Sequence, residues 1–483
     1  MLGIDNMNMV SWRDYEGVEG FGSATQQDVD ALNKALTAGQ DIDAPGAVTA
    51  GDGFALRVES LERTLRNTSF KMEHVRFWRS IPKLAAYNTV EEHNVISSYG
   101  ENPDAGWIDE GDLPSEDDST YERAYAVVKY LGTTRRVTHV MSLVKPAHGN
   151  VIAQETVNGT MHLLRIMERA LFYGDSNLLS LQFDGFERLM LNNCPDTNII
   201  DRRGAPLSED VLSDACLTAS DAPNYGRITD AHMNPKVHSD LVKTFFPKER
   251  HDTFQKVGDY VGLDIKGFTS PAGDVRFQPN TFIDQGLRGP NAAAIGPAAT
   301  RPGTPTISTG ATTPPHASSQ FAADDAGSYW YKVVAVNRYG KSAPVDVGGG
   351  AIAVLAGDEV TWGVTPGGST DVDYYEIYRS EVGGTDGSEK LILRTTNLAG
   401  AGEQTLQDLN AVLPNTTSVF LFQQNLEAMS FKQLAPMIKI PLATIDSSIR
   451  WMQLIYGVPV LYTPGKVVLI RNVGRAQGYV GAP

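Results

Sequence analysis

Between Ala153 and Gly174 the chain reads AQETVNGTMHLLRIMERALFYG. Val157, Met161, Leu164, Met167 and Leu171 recur every three or four residues, the spacing of one face of a helix. Leu163, Ile166 and Phe172 widen that face beyond a narrow stripe, so the pattern predicts a long helix laid against something broad, a sheet. Gly174 offers a stop, and Asp175 and Asn177 supply turn chemistry. On periodicity alone, this is one core helix of any α/β or α+β protein.

Other patterns fall on either side of it. Thr25 as a cap, with Asp28 in the first turn, predicts a short helix over QQDVDALNKALTA. Asp41–Gly53 reads as a flexible connection, and a second helix is expected over Ala55–Arg66. Phe70, Phe77 and Trp78 then alternate with Lys71, Arg76 and Arg79. Such interleaving can stack on nucleic acid. Nothing else in the chain supports stacking, so an arm packed on a neighbouring subunit is the reading adopted.

YNTVEEHNVISSYG and the run from Tyr125 to Val144 are β-like, and are expected to form a long two-stranded excursion. Between them Glu101, Asp104, Asp109, Glu110, Asp112, Glu116, Asp117 and Asp118 occur without a Lys or Arg. The spacing is not that of a calcium loop, and no pocket-forming pattern surrounds a catalytic carboxylate pair. A solvated acidic tip remains. Trp107 within it suggests a partner surface. LQFDGFERLM is a turn into a helix or strand, Ser208 precedes a helix over EDVLSDACLTAS, and residues 225–290 read as alternating strands and turns.

At Arg288 the composition changes to a Pro/Gly/Ala/Thr-rich linker running through TTPPHASS. From Tyr329 to about Phe422 the pattern is all-β: YWYKVVAVNRYG, AIAVLAGDEVTWGV, DVDYYEIYRS and EKLILRTT are separated by Gly-rich turns. This suits a β-sandwich. Mixed structure returns at FKQLAPMIKIPLA, so the sandwich is an insertion, which a host tolerates at an exposed loop when the insert's ends lie close together.

Composition narrows the function. A chain of 483 residues has room for two to four domains, and 41% hydrophobic residues is ordinary for a globular protein. No apolar run approaches the roughly 18 residues of a membrane span. No secretory signal is readable, which points to folding in the cytoplasm. Cys194 and Cys216 have no ligand neighbours and are expected as free thiols. A net charge of −16 speaks against sequence-specific grip on nucleic acid. His232 and His238 are spaced for different helix faces, which argues against a shared metal. G-x-S-x-G, H-E-x-x-H and the P-loop are all absent. No catalytic, cofactor-binding or metal-binding residue is expected. Tyr329, Trp330, Tyr331, Tyr374, Tyr375 and Tyr378 could form a glycan platform or the sandwich core, and the core is the reading adopted.

Three stretches together resemble the major capsid proteins of tailed bacteriophages with the Hong Kong 97-type fold. They are the helix running through ALFYGDSN to FDGFERLM, the acidic-tipped hairpin before it, which resembles the family's E-loop, and the closing SFKQLAPMIKIPLA…RWMQLIYGVPVLYTPGKVVLIRNVG. The resemblance implies an α+β fold with an N-terminal arm (1–86), an E-loop hairpin (87–145) and a peripheral domain with a spine helix (146–190). An axial domain (191–290), an inserted Ig-like sandwich (300–415) and a return to both host domains (420–483) complete it. It further implies hexamers and pentamers tiling an icosahedral shell around double-stranded DNA that is held by weak, non-specific contact. Portal and decoration proteins would be partners and the virion capsid the location, with no membrane.

Trp78, Trp107, Asp109, Glu110, Asp117, Arg135 and Arg136 become candidate inter-subunit contacts. Val157, Met161, Leu164, Met167 and Leu171 become the spine-helix core, expected to cover a sheet completed by the strand at Lys466–Asn472. The founding member locks its shell with a Lys–Asn bond whose Lys sits on the E-loop. No Lys occurs here between Lys83 and Lys129, so no such crosslink is expected. Residues 1–55 look too short for a cleaved scaffold. YWYKVVAVNRYGKSAP and DYYEIYRS are similar to fibronectin type III strands, but in exchanged order. Two alternatives stand beside this reading: an encapsulin-like nanocompartment, and a surface glycan-binding protein or glycosidase with a fibronectin-like module.

Overall fold

The computed structural model describes residues 71–100, 107–113, 116–144, 149–245, 265–308, 310–313, 315–368, 371–443 and 446–476. The helices expected before residue 67, Phe70, and Glu101 and Asp104 of the acidic tip lie outside them. The chain divides into two compact units, and everything below concerns the larger, Thr68–Val144 with Asn150–Pro483. It mixes helices and sheets.

The long helix spans Val151–Tyr173, and Asn150 caps it, its side-chain oxygen accepting from the Ile152 and Ala153 amides at 2.9 and 3.3 Å. Leu163, Leu164, Met167, Ala170, Leu171, Phe172 and Tyr173 are buried. Met161 is half-buried beside Val75 and Phe282, but Val157 is 56% exposed and lies outside the core. The reason is a change of chemistry along the helix. Its first turns meet the neighbouring sheet through polar groups: Gln453 Nε2 donates to the Thr156 carbonyl at 2.9 Å, and Arg135 pairs with Glu155 at 3.6 Å. Gly174 does stop the helix, though not in a left-handed conformation (φ −60°). It is needed for close approach: a Cβ on Gly174 would lie 2.5 Å from Phe183 O and 2.6 Å from Ala170 O, and Gly185, whose N donates to Gly174 O at 2.9 Å, is as tightly enclosed.

Two sheets share the core beneath this helix. The first runs Lys83–Ala85, Met429–Pro441, Ser448–Leu461, Lys129–Thr138, with only the first pair parallel. The second has six strands in the order Ile199–Asp201, Val468–Val473, Thr417–Phe422, Asp230–Met233, Gly273–Pro279, Gly267–Ser270. In its central strand, Phe420 and Phe422 join the core of the long helix and the Phe186–Asn193 helix. Val419 and Leu421 face the opposite core, with Leu212 and Ala215 of Glu209–Ser220 and Val237 and Leu241 of Pro235–Phe245. Strand alternation with both faces covered explains why this strand is continuously apolar from Val419 to Phe422.

The long helix therefore covers two sheets, not one. Leu163 and Met167 share a core with Phe431 and Ile455 of the four-stranded sheet, as well as with Leu469 of the C-terminal strand. Within 225–290, where strands and turns were expected, Pro235–Phe245 is a helix: Asn234 accepts from the Lys236 amide at 3.0 Å, and Pro235 opens the first turn.

The expected linker ends sooner than its composition suggests, because Gly303–Ile307 is already a strand paired with Glu359–Gly367. Between residues 303 and 408 the described strands form three sheets, of four, two and five strands, around one core. Trp362, Val364 and Leu406 meet Val333, Tyr375 and Ile377 there. Tyr329, Tyr331, Tyr374, Tyr375 and Tyr378 are all buried, which removes the aromatic platform. The chain enters and leaves this part at one place: Asn415 N donates to Gly286 O at 3.0 Å.

Candidate assembly surfaces

Val90–Ser98 pairs antiparallel with Thr120–Val127, in a register that sets Val90 against Val127 and Ile96 against Tyr121. The expected partner, Tyr125–Val144, is divided instead. Its Lys129–Thr138 part pairs with Ser448–Leu461, and His139–Leu143 is a short helix. The β-like run is continuous in sequence, but Val128, 2% exposed, turns the chain from hairpin to sheet.

The root of the hairpin is fixed. Glu91 accepts from the Tyr87 and Asn88 amides at 2.8 and 2.9 Å and pairs with Lys432 at 3.1 Å. The Asn88 hydrogen bond leads the contributions that lower its proton affinity. Beyond the root the large apolar residues of one face are exposed to water. Tyr121 is 68% exposed, Tyr125 74% and Trp107 86%. A two-stranded ribbon of this kind is marginal alone, and a row of exposed rings marks a surface that another molecule covers. Asp109, Glu110 and Asp117 are exposed on the same connecting segment as Trp107.

The other expected contacts find partners within the chain. Trp78 meets Phe431 edge-on, with centroids 4.9 Å apart, and the Lys83 ammonium stands 4.6 Å over its ring. Arg135 pairs with Glu155, and Arg136 lies 3.9 Å from Asp446.

Sequence reasoning missed the residue that docks the segment around Trp78. Glu168, fully buried, accepts from the amides of Arg76 (3.1 Å), Phe77 (2.8 Å) and Trp78 (2.8 Å) and from Asn280 Nδ2 (2.6 Å). Burial raises its proton affinity, and these four donors oppose the shift. Phe77 then stacks on Phe172 (4.7 Å) and Phe422 (5.2 Å). The readable signal was an acid spaced i+4 from Leu164 on an otherwise apolar face.

His232 and His238 sit on different elements, and among the described residues no cluster of His, Cys, Asp or Glu could hold a metal. Cys194 and Cys216 are both free, and burial pushes the Cys194 thiol up to about 12. No described helix is long and apolar enough to cross a membrane.

No protein-family model matches the chain. It is 26% identical to the major capsid protein of Staphylococcus phage K over 437 residues, covering 87% of this chain and 91% of that one. It is 27% identical to the putative major capsid protein of Enterococcus phage phiEF24C over 445 residues, with 87% and 90% covered. The chain is a homologue of phage major capsid proteins. It is a structural protein of the virion capsid, not an enzyme. Among solved structures, this capsid protein is similar to a chain in that of Gordonia phage Cozz, with TM-score 0.45, 10% identity and 89% and 98% of the two chains covered. It is also similar to a chain in the capsid of the native GTA particle, with TM-score 0.44, 10% identity and 89% and 100% covered.

Proposed function

We propose that the chain self-assembles as hexamers and pentamers into an icosahedral shell of the Hong Kong 97 type around packaged double-stranded DNA. In this reading the hairpin is the E-loop and lies over a neighbouring subunit. The arm 1–86 also contacts neighbours, 146–190 and 191–290 are peripheral and axial domains, and the sandwich of 300–415 is an Ig-like insertion facing outward. Portal and decoration proteins complete the particle.

The observation that carries the reading is the exposed hairpin, whose Trp107, Tyr121 and Tyr125 are left uncovered in one subunit. The match to phage major capsid proteins over 87% of the chain supports it. The net charge of −16 suits a shell that must contact DNA only weakly, through counterions. Negative-stain microscopy of the purified chain tests it. Closed shells with surface knobs are expected, and a small soluble oligomer would overturn the proposal.

A further inference from the structure

The long helix, the segment leading out of the six-stranded sheet, and the sandwich meet around a cavity of about 210 Å³. Five cationic side chains line it: Arg165 and Arg169 from the helix, Arg288 from the segment, Lys341 and Arg394 from the sandwich. In a chain of net charge −16, that concentration runs against the rest of the molecule.

The carboxylates that answer them are fewer. Asp284 is shared, accepting from Arg169 at 2.9 Å and Arg288 at 3.1 Å. Glu376 pairs with Lys341 at 2.5 Å and also accepts from the Tyr378 hydroxyl at 2.8 Å. Glu187, half-buried near Arg394, also faces Arg471. Arg394 itself donates to the Tyr173 carbonyl at 2.9 Å. Arg165 has no hydrogen bond or ion pair among the described residues, and the buried Nε of Arg169 has no partner. The five lining cations have only Asp284 and Glu376 as ion-pair partners, so positive charge stays in excess, in a site where neighbouring protein lowers the dielectric and like charges repel strongly.

We propose that this cavity binds a doubly charged oxyanion of the phosphate class. The ion fastens the sandwich to the long helix. Guanidinium groups present paired donors that match tetrahedral oxyanions, and they arrive here from three separate parts of the chain. The cavity is the size of a small ion with its water, and too narrow for a nucleic-acid duplex.

The test uses the full-length chain in chloride buffer at fixed ionic strength, with inorganic phosphate titrated in and both heat of binding and thermal unfolding followed. Saturable one-site binding is expected, with a rise in Tm. Arg165→Gln, which removes an exposed and unpartnered group, should fold normally and weaken phosphate binding about tenfold or more. Arg123→Gln on the hairpin should leave phosphate binding unchanged. A response that chloride reproduces, the absence of saturable binding, or unchanged affinity in Arg165→Gln would overturn the proposal. So would binding of a duplex oligonucleotide without any response to phosphate, which would mean the charge serves a polymer at the surface.

Discussion

Glu168 shows how one buried carboxylate can organise a segment far from it in sequence. Its four donors come from residues 76–78 and from Asn280. Glu168→Ala orphans three buried or half-buried amides, and is expected to cost about 3 kcal/mol or more. Glu168→Gln keeps one acceptor oxygen and should cost about half as much, a ranking that urea unfolding of the subunit can check. His232 makes the opposite demand. Burial, reinforced by Arg76 and Arg276, depresses its pKa from 6.5 to about 3. The unfolded imidazole therefore takes up a proton first as pH falls. The stability tied to a neutral His232 is complete above pH 6.5 and drains away toward about pH 3. Unfolding free energy measured across that window should fall with a slope that His232→Phe flattens. Glu168 works with the other sign. Its raised pKa gives stability that is present below the unfolded carboxyl's value and lost as pH rises through its folded value.

At the scale of elements, the strongly periodic pieces were legible and the junctions were not. The long helix, Glu209–Ser220 and the sandwich strands follow from spacing and turn residues alone. Pro235–Phe245 was missed although Asn234–Pro235 is a cap followed by a first-turn proline, and Val237, Leu241 and Phe245 recur at i+4. Its apolar positions are too few to stand out between neighbouring strands. The hairpin's partner was misplaced because nothing in AYAVVKYLG punctuates the change of sheet. Trp107 was legible as an exposed aromatic, while Trp78 was not legible as an internal one, because an aromatic between basic residues reads alike in either setting. The turn after the long helix provides a strict test. Gly185→Ala would press a methyl against the backbone at Ala170, Phe172 and Gly174, all within 2.8 Å. It should destabilise by more than about 2 kcal/mol in thermal unfolding, whereas an ordinary surface Gly→Ala change should be near neutral.

At the scale of the whole molecule, folding and assembly should be separable. Tyr121 and Tyr125 contribute little to the isolated subunit because water already covers them. If the proposed shell is right, replacing both with Ser leaves the Tm of the subunit unchanged and removes closed shells from micrographs. Loss of Tm would place these rings inside the fold. The sandwich, by contrast, is bound to its host by more than its two connections. Arg203, held at φ 48°, donates to the carbonyls of Asn410 (2.6 Å) and Gln320 (2.7 Å), and Asn472 donates to Ala411 O at 3.0 Å. None of these polar clasps could be read from sequence, because each joins loops more than sixty residues apart. The entry and exit of this part have a mechanical consequence. Gly286 and Asn415 are hydrogen-bonded to each other, and Thr417 begins the strand at the middle of the six-stranded sheet. A tug on the sandwich is therefore delivered along that strand from its first residue. To yield, the strand would have to slide past Val468–Val473 and Asp230–Met233 together, breaking both ladders at once instead of peeling one bond at a time.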